Sequence, residues 1–570
     1  MAELNTARAI ADRYVTELAE LDPLISTKLG LRPDEDRLPD YSPDGHEARM
    51  SLVRSTLAEL AAAPEPTDPD DRRCAKLLKE RLESQLTISE QGEQLRAISN
   101  LFGPPQGMRN VFLDMPAATA DDWAVITRRM TRFADALASY RESLTEGIDR
   151  GLIAGPRVVS AVIDQLGDWT AAGDGQGWFA EFAATAGGSG GSSPRASTAP
   201  ANGNRSELDQ AAQSAIEAIA DLRDWLRQTY LPLTAGQPDE VGAERYLACA
   251  RRYTGANLDL AEVYEWGWSQ FLALRSEMQD EAKRIVPGSS VAEAMAYLDV
   301  NGEAVDGVDE IRDRLQQLMD TAMAQLDGTH FDIAEPVKTV EARIAPAGSA
   351  AAPYYTSPSR DFARPGRTWL PVTDSTRFPL WSLVSTWYHE GVPGHHLQLA
   401  QWICLADRLS TFQTSIGGVS ACSEGWALYA ERLMDELGYL TRTGDRLGYL
   451  DAQMLRAIRV VIDIGMHTRA RIPADSPVGA GQIWTPELAR EFLGMHNGSP
   501  AAFLDSEIIR YLSMPGQAIS YKLGERAWLA GRDAAKAAQG AAFDLKAWHM
   551  ASLSLGALGL DDLAVELAQI

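Results

Sequence analysis

Three of the chain's eight histidines fall within eight residues, His389-Glu390-Gly391-Val392-Pro393-Gly394-His395-His396, and a carboxylate stands directly beside the first. Clustered imidazoles are what a divalent metal site looks like in sequence, and a glutamate next to a ligand can take a proton from a metal-bound water. The common zinc-peptidase arrangement puts two histidines at i and i+4 on one helical face, with the glutamate after the first. Here Pro393 occupies the second ligand's place. On a regular helix His389 and His396 share a face but lie about 10 Å apart along the axis, too far for two bonds of about 2 Å, while His389 and His395 point to different faces. Gly391, Pro393 and Gly394 are the residues expected where a helix bulges, kinks or unwinds. A two-residue bulge between Glu390 and His395 returns His395 to the direction of an i+4 ligand. Capping or surface decoration is the competing reading for a His-His pair, but the flanks Trp381 to Tyr388 and Leu397 to Ile403 are apolar, and buried imidazoles need partners.

A catalytic zinc needs a third protein ligand, and about thirty residues downstream stands Ser423-Glu424-Gly425-Trp426-Ala427-Leu428-Tyr429-Ala430-Glu431. Glu424 begins an otherwise apolar helix, and Gly425 beside it permits close approach of the other helix, the one carrying the octet. We read His389, His395 and Glu424 as the ligand set, with His396 as the alternative imidazole or a neighbour. Glu431, two turns on, suits an acceptor for the N–H of a ligating imidazole. For Glu424 the competing reading is an acid favoured by the helix dipole. Two imidazoles, one carboxylate and an open fourth position favour Zn²⁺, with another divalent metal as the alternative. Glu390 then serves as general base, and the chemistry is hydrolysis of an amide or related acyl bond.

The elements that must position these groups are helices. The chain has 570 residues, 45% of them apolar, enough to bury a large core. Residues 1–186 read as successive amphipathic helices, residues 187–204 as a flexible Gly/Ser/Pro-rich insertion, and residues 205–570 as a helical metallohydrolase region, the whole forming one compact body. A short stretch from Val337 to Pro371 changes character, with β-branched and aromatic residues among Gly and Pro, and reads as a small sheet. A formal charge of −26 excludes an electrostatic grip on nucleic acid or an anionic membrane. Four dispersed cysteines, no basic leader and no long apolar run predict a reduced, cytoplasmic protein that does not span a membrane.

Three further candidates follow from residue type and setting. His467 lies in the apolar run from Val460 to Thr468 and could stabilise a tetrahedral intermediate or bind substrate, a satisfied core histidine being the competing reading. Arg510 could take a substrate's C-terminal carboxylate, against a structural salt bridge. Tyr354 and Tyr355 could form a strand edge lining a substrate groove, or equally belong to the core.

The chain resembles the bacterial family called domain of unknown function 885, marked by His-Glu-Gly-x-Pro-Gly-His-His. The likeness runs through Leu21-Asp22-Pro23, Leu38-Pro39-Asp40-Tyr41, Pro353-Tyr354-Tyr355, Pro365-Gly366, the octet, Ser423-Glu424-Gly425, Asp463 to His467, Arg510-Tyr511 and Pro515 to Gly524. That family in turn looks like the helical zinc carboxypeptidases of the Taq type. The resemblance implies a mainly α fold, a large helical body with a deep central groove and a small sheet at its edge, and His/His/Glu metal ligation. By the same analogy Tyr521, in the densest matching segment, is the oxyanion donor. The expectation is a zinc-dependent metallopeptidase acting on short peptides. A zinc hydrolase of non-peptide amides or esters is the alternative, and a peptide-binding protein with a structural or lost metal is the alternative of another class.

Overall fold

The structure, a computed structural model, describes residues 5–171, 177–186, 202–345, 352–372 and 375–570. The fold is mainly α with small β elements at one side. Of the expected flexible insertion, residues 187–201 lie outside the described residues, and a helix, Asn202–Trp225, begins directly after them.

Five strands are present among the described residues, in two groups. Strands β2 (Val340–Ile344), β4 (Gly366–Leu370) and β3 (Tyr354–Thr356) form a three-stranded sheet in that order, β2 parallel to β4 and β3 antiparallel to it. A separate ribbon pairs β1 (Ala304–Asp306) antiparallel with β5 (Arg377–Pro379). The sheet expected between Val337 and Pro371 is therefore there, but Val337 and Lys338 belong to a 3₁₀ turn, Glu335–Lys338, with Pro336 in its first positions. Proline fixes the turn's φ and has no N–H to give a ladder, so pairing starts only at Val340.

Two large apolar cores fill the body. One joins residues from 98 to 298 with Trp381 and residues from 447 to 518, and the other joins residues from 7 to 82 with residues from 246 to 567. The long helix Asp445–Thr468 separates them: Ile458 and Val461 face the first, Val460 and Ile464 the second. It is apolar on nearly every side, as a helix packed all round must be. Its glycines are placed where neighbours come too close for a side chain, Gly448 under the Trp381 carbonyl and Gly465 against the Trp484 indole.

The helices Ser420–Glu436 and Ser520–Gln539 lie against each other through Gly425 and Gly524, where an added Cβ on either would fall inside the other's backbone. Close approach at Gly425 was expected of the helix carrying the His octet; the partner is instead this C-terminal helix. All four cysteines are free, and no described helix is long and apolar enough to cross a membrane.

Candidate metal centre

The octet is the junction of two short helices, Val384–Glu390 and His395–Cys404. Instead of the two-residue bulge expected from sequence, all four residues from Gly391 to Gly394 leave the helix, so the interruption is a complete break. Glycine is required at both ends of it: a Cβ on Gly394 would collide with the His389 and Tyr388 carbonyls, and one on Gly391 would lie 2.8 Å from Met319 Sδ. Backbone bonds re-close the turn, from Gly394 N–H to Tyr388 O at 3.0 Å and from His396 N–H to Gly391 O at 3.1 Å. The indole N–H of buried Trp426 donates to the carbonyls of Pro393 and Gly394, at 2.9 and 3.2 Å, fixing the loop to the helix that carries Glu424.

The break brings the His389 and His395 rings to 4.8 Å between centroids, nearly perpendicular. Glu424 Oε2 lies 3.3 Å from His389 Nε2 and 3.5 Å from His395 Nε2. Ligands bonded at 2.0–2.1 Å in a tetrahedron stand about 3.3–3.4 Å apart, so each histidine stands from Glu424 at about the spacing of two ligands of one metal. Glu390 is a rival for the third place, since an oxygen of it and one nitrogen from each of His389 and His395 lie within 4.8 Å of one another. Its Oε1 is 4.0 Å from His389 Nε2, longer than either Glu424 contact, so Glu424 stands nearer to both imidazoles than Glu390 does to His389. The donor set, two imidazoles and one carboxylate, fits zinc.

Glu431 sets the tautomer of His389. His389 Nδ1–H donates to Glu431 Oε1 at 2.8 Å, which turns Nε2 towards the centre as the nitrogen able to bind a metal once it has lost its proton. Glu431 is itself buried and also accepts from the Ser385 hydroxyl. Burial acts to lower the basicity of His389, but Glu424 and Glu431 outweigh it and hold the group near 9, so without a cation Nε2 also carries a proton, donated to Glu424, that a metal would have to displace. The same pairing overcomes burial at Glu424 and keeps its carboxyl far below the usual range, so it is ionised as a ligand must be. At Glu390 burial dominates and pushes the carboxyl up, opposed by the charges of His389, His395 and Arg456.

His396, left open by sequence, is not aimed at the centre. Its Nε2–H donates to the Val337 carbonyl at 2.6 Å and its Nδ1 accepts from the Tyr355 hydroxyl at 2.9 Å, so both nitrogens are taken. Burial holds it near 4, hence neutral. Gly366 makes room for this pair, because a Cβ there would press on the Tyr355 oxygen and His396 Nδ1. His396 thereby ties the three-stranded sheet to the ligand helix, and its role as alternative ligand is withdrawn. Tyr355 is committed to that tie, which removes its hydroxyl from substrate contact; Tyr354 stacks on Trp369 with centroids 5.9 Å apart.

Two further expectations are corrected. His467 is fully buried; its Nε2–H donates to the Tyr511 carbonyl at 3.0 Å, and its Nδ1 accepts from the Val241 N–H at 3.4 Å. With both nitrogens bonded to main chain it has no donor for an oxyanion. Arg510 gives Nε–H and Nη2–H to the two oxygens of Glu507, each at 2.8 Å, and Nη1–H to Gln517. Its fork is filled by its own chain, which excludes a substrate carboxylate.

Tyr521 stands differently. Among the described residues its hydroxyl has no hydrogen-bond partner, its ring lies 4.7 Å from the Arg459 guanidinium, and it is near enough to Glu424 for that charge to add to burial in raising the phenol. A phenol so placed donates and does not ionise. Two residues passed over in sequence belong here too: Arg459 under Tyr521, and Arg456 beside Glu431 and Glu390. The signal was present as Gln453, Arg456, Arg459, Asp463 and His467, polar groups three or four apart along one side of an otherwise apolar helix.

The family model described as bacterial protein of unknown function (DUF885) matches residues 23–567. Two solved structures share the fold. One is a Colwellia psychrerythraea protein carrying a lipoprotein designation, with TM-score 0.82, 21% identity and 99% of each chain covered. The other is a protein of unknown function from Shewanella oneidensis, likewise designated a lipoprotein, with TM-score 0.71, 17% identity, and 98% of this chain and 99% of that one covered. No curated protein matches.

Proposed function

Since the chain belongs to the family of bacterial proteins of unknown function DUF885, whose membership assigns no reaction, we propose from the site itself that it is a mononuclear zinc hydrolase, a carboxypeptidase-like metallopeptidase cleaving short peptides. The carrying observation is the approach of His389 Nε2 and His395 Nε2 to Glu424 Oε2 at 3.3 and 3.5 Å, with the Glu390 carboxylate adjacent. Bound there, zinc supplies Lewis-acid chemistry, polarising a carbonyl and lowering the pKa of a water towards neutrality.

The chain's residues do the rest. Glu390 accepts the proton of the attacking water on its carboxylate and delivers it to the leaving nitrogen. The Tyr521 O–H donates to the oxygen on which charge develops, and the Arg459 guanidinium against its ring favours that donation. Glu431 takes the Nδ1–H of His389, so Nε2 is the nitrogen that would face the metal. A structural zinc site has no use for a general base beside its ligands, which favours hydrolysis over binding alone.

The test is metal analysis of purified protein together with digestion of a peptide library and a panel of acylated small molecules. One divalent metal per chain and peptide cleavage are expected. No stoichiometric metal would end the proposal, and cleavage confined to the small molecules would replace the peptidase by an amidase or esterase. A cytoplasmic setting is part of the proposal, and cell fractionation tests it against the membrane anchoring that the relatives' lipoprotein designation implies for them.

A further inference from the structure

The two imidazoles of the candidate centre are not equally supported. His389 has its outer nitrogen fixed, since Nδ1–H donates to Glu431 Oε1 at 2.8 Å and the Ser385 hydroxyl steadies that carboxylate. His395 presents Nε2 to Glu424 at 3.5 Å, but its Nδ1 is buried and, among the described residues, has no hydrogen-bond partner. A ligating imidazole almost always gives its second N–H to a fixed acceptor, which holds the tautomer and the plane of the ring. Three residues on along the helix His395–Cys404 lies Gln398, 1% exposed, with its Oε1 and its Nε2 both buried and likewise without a partner. An amide buried with neither end bonded is costly. Residues three apart on a helix are neighbours, about 5–6 Å between Cβ atoms, and helical side chains lean towards the N-terminus, which directs Gln398 towards His395. Trp402 Nε1, one turn further on, is a second buried donor without an acceptor and the competitor for the same carbonyl. A ring N–H and an amide oxygen, each unmet and each the complement of the other, thus lie one turn apart on one side of the ligand helix.

We propose that Gln398 is the positioning residue for His395, its Oε1 taking the Nδ1–H of that ring when Nε2 engages a divalent cation, as Glu431 does for His389. The inference rests on the zinc reading of the centre and adds an asymmetry to it. Glu431 is already bonded to its histidine, whereas Gln398 turns about its own side-chain torsions to reach His395, so occupation of the centre orders the amide.

The test follows zinc affinity and stability together. Competitive chelator titration with zinc, and thermal unfolding with and without zinc, are compared for the unmodified protein, Gln398→Met and Gln398→Glu. Methionine keeps the length of the side chain and removes both unmet polar groups. The zinc-free Gln398→Met protein should therefore melt no lower than the unmodified one, while its zinc affinity falls about 10- to 100-fold and the rise in Tm on adding zinc shrinks with it. A glutamine with a purely structural role does not move the two readouts in opposite directions. Gln398→Glu, which keeps an acceptor at the same reach, should recover most of the lost affinity. Zinc held as tightly by Gln398→Met as by the unmodified protein overturns the proposal, and a lower zinc-free Tm at unchanged zinc affinity assigns the amide to Trp402 instead. A crystal structure of the unmodified protein with zinc bound is a check free of folding defects: Gln398 Oε1 should stand about 2.7–3.2 Å from His395 Nδ1, and a longer separation overturns the proposal. The two readings fail separately, because an unmodified protein that takes up no zinc ends both, whereas stoichiometric zinc indifferent to the Gln398 variants leaves the hydrolase and removes the positioning role.

Discussion

Around Glu507 every strong donor is answered from within the chain: Arg459, Arg510 and the Tyr511 hydroxyl all converge on one carboxylate, and His467 closes the cluster with two main-chain bonds. Around His389 the polar groups are as deeply buried, but their capacity is left over and turned to a common point, with Nε2 of two imidazoles and an oxygen of Glu424 facing one another. Burial and unusual proton affinity mark both clusters, so neither property separates a site from a structural network. Convergent, unspent bonding capacity does.

That contrast can be broken at either cluster. The largest effect is expected from His389→Ala or His395→Ala, which should bring metal occupancy to background and hydrolysis with it, read by elemental analysis and turnover. Full occupancy in either variant would mean that the spacing about Glu424 is accidental. Next, Tyr521→Phe should keep the metal and lower kcat about 10²- to 10³-fold, the range for loss of one oxyanion donor; an unchanged kcat would remove Tyr521 from the chemistry. Glu431→Gln should weaken metal affinity about 10- to 100-fold in a competitive chelator titration, because the His389 N–H exchanges a charged carboxylate for a weaker, neutral amide acceptor.

At the other cluster the readout shifts from activity to stability. Glu507→Gln leaves Arg459 and Arg510 buried against a neutral group and should cost about 3–5 kcal/mol in denaturant unfolding, while turnover per folded molecule changes far less than in Tyr521→Phe. The smallest effect concerns pH. Burial lowers His467 to about 4 in the folded state, against about 6.5 when unfolded. The unfolded chain therefore binds the extra proton first, and this group's contribution is whole above pH of about 6.5 and lost as pH falls towards about 4, amounting to roughly 3 kcal/mol. His467→Gln should flatten that part of the stability curve; an unaltered acid slope would show that His467 can be protonated in place.

The cluster of His389, His395 and Glu424 was legible in sequence because its residue types are scarce and nearly local: three imidazoles in eight residues, glycines and a proline to break the helix, and a lone carboxylate opening the next apolar helix. Even there sequence preferred His395 but kept His396 as the alternative, since only the Val337 carbonyl and Tyr355 hydroxyl, 59 and 41 residues away, decide which ring is engaged. Arg510 and His467 were misread for the same physical reason. A polar residue in an apolar helix advertises that it has a partner, not whether the partner is Glu507, a main-chain carbonyl or a substrate. Gln398 went unremarked because its distinction is an amide without a partner among the described residues, which no spacing reveals. The mainly α fold followed from periodicity, while ribbon β1–β5 escaped because three-residue strands 70 residues apart carry no pattern.

Metal content and peptide hydrolysis of Glu390→Gln, measured on one preparation, test the metallohydrolase most directly. The expected result is one divalent metal per chain, held as tightly as in the unmodified protein, with hydrolysis reduced to background, since Glu390 moves the proton but is not a ligand. Persistent hydrolysis, or loss of the metal with the carboxylate, would contradict the division of roles between Glu390 and Glu424.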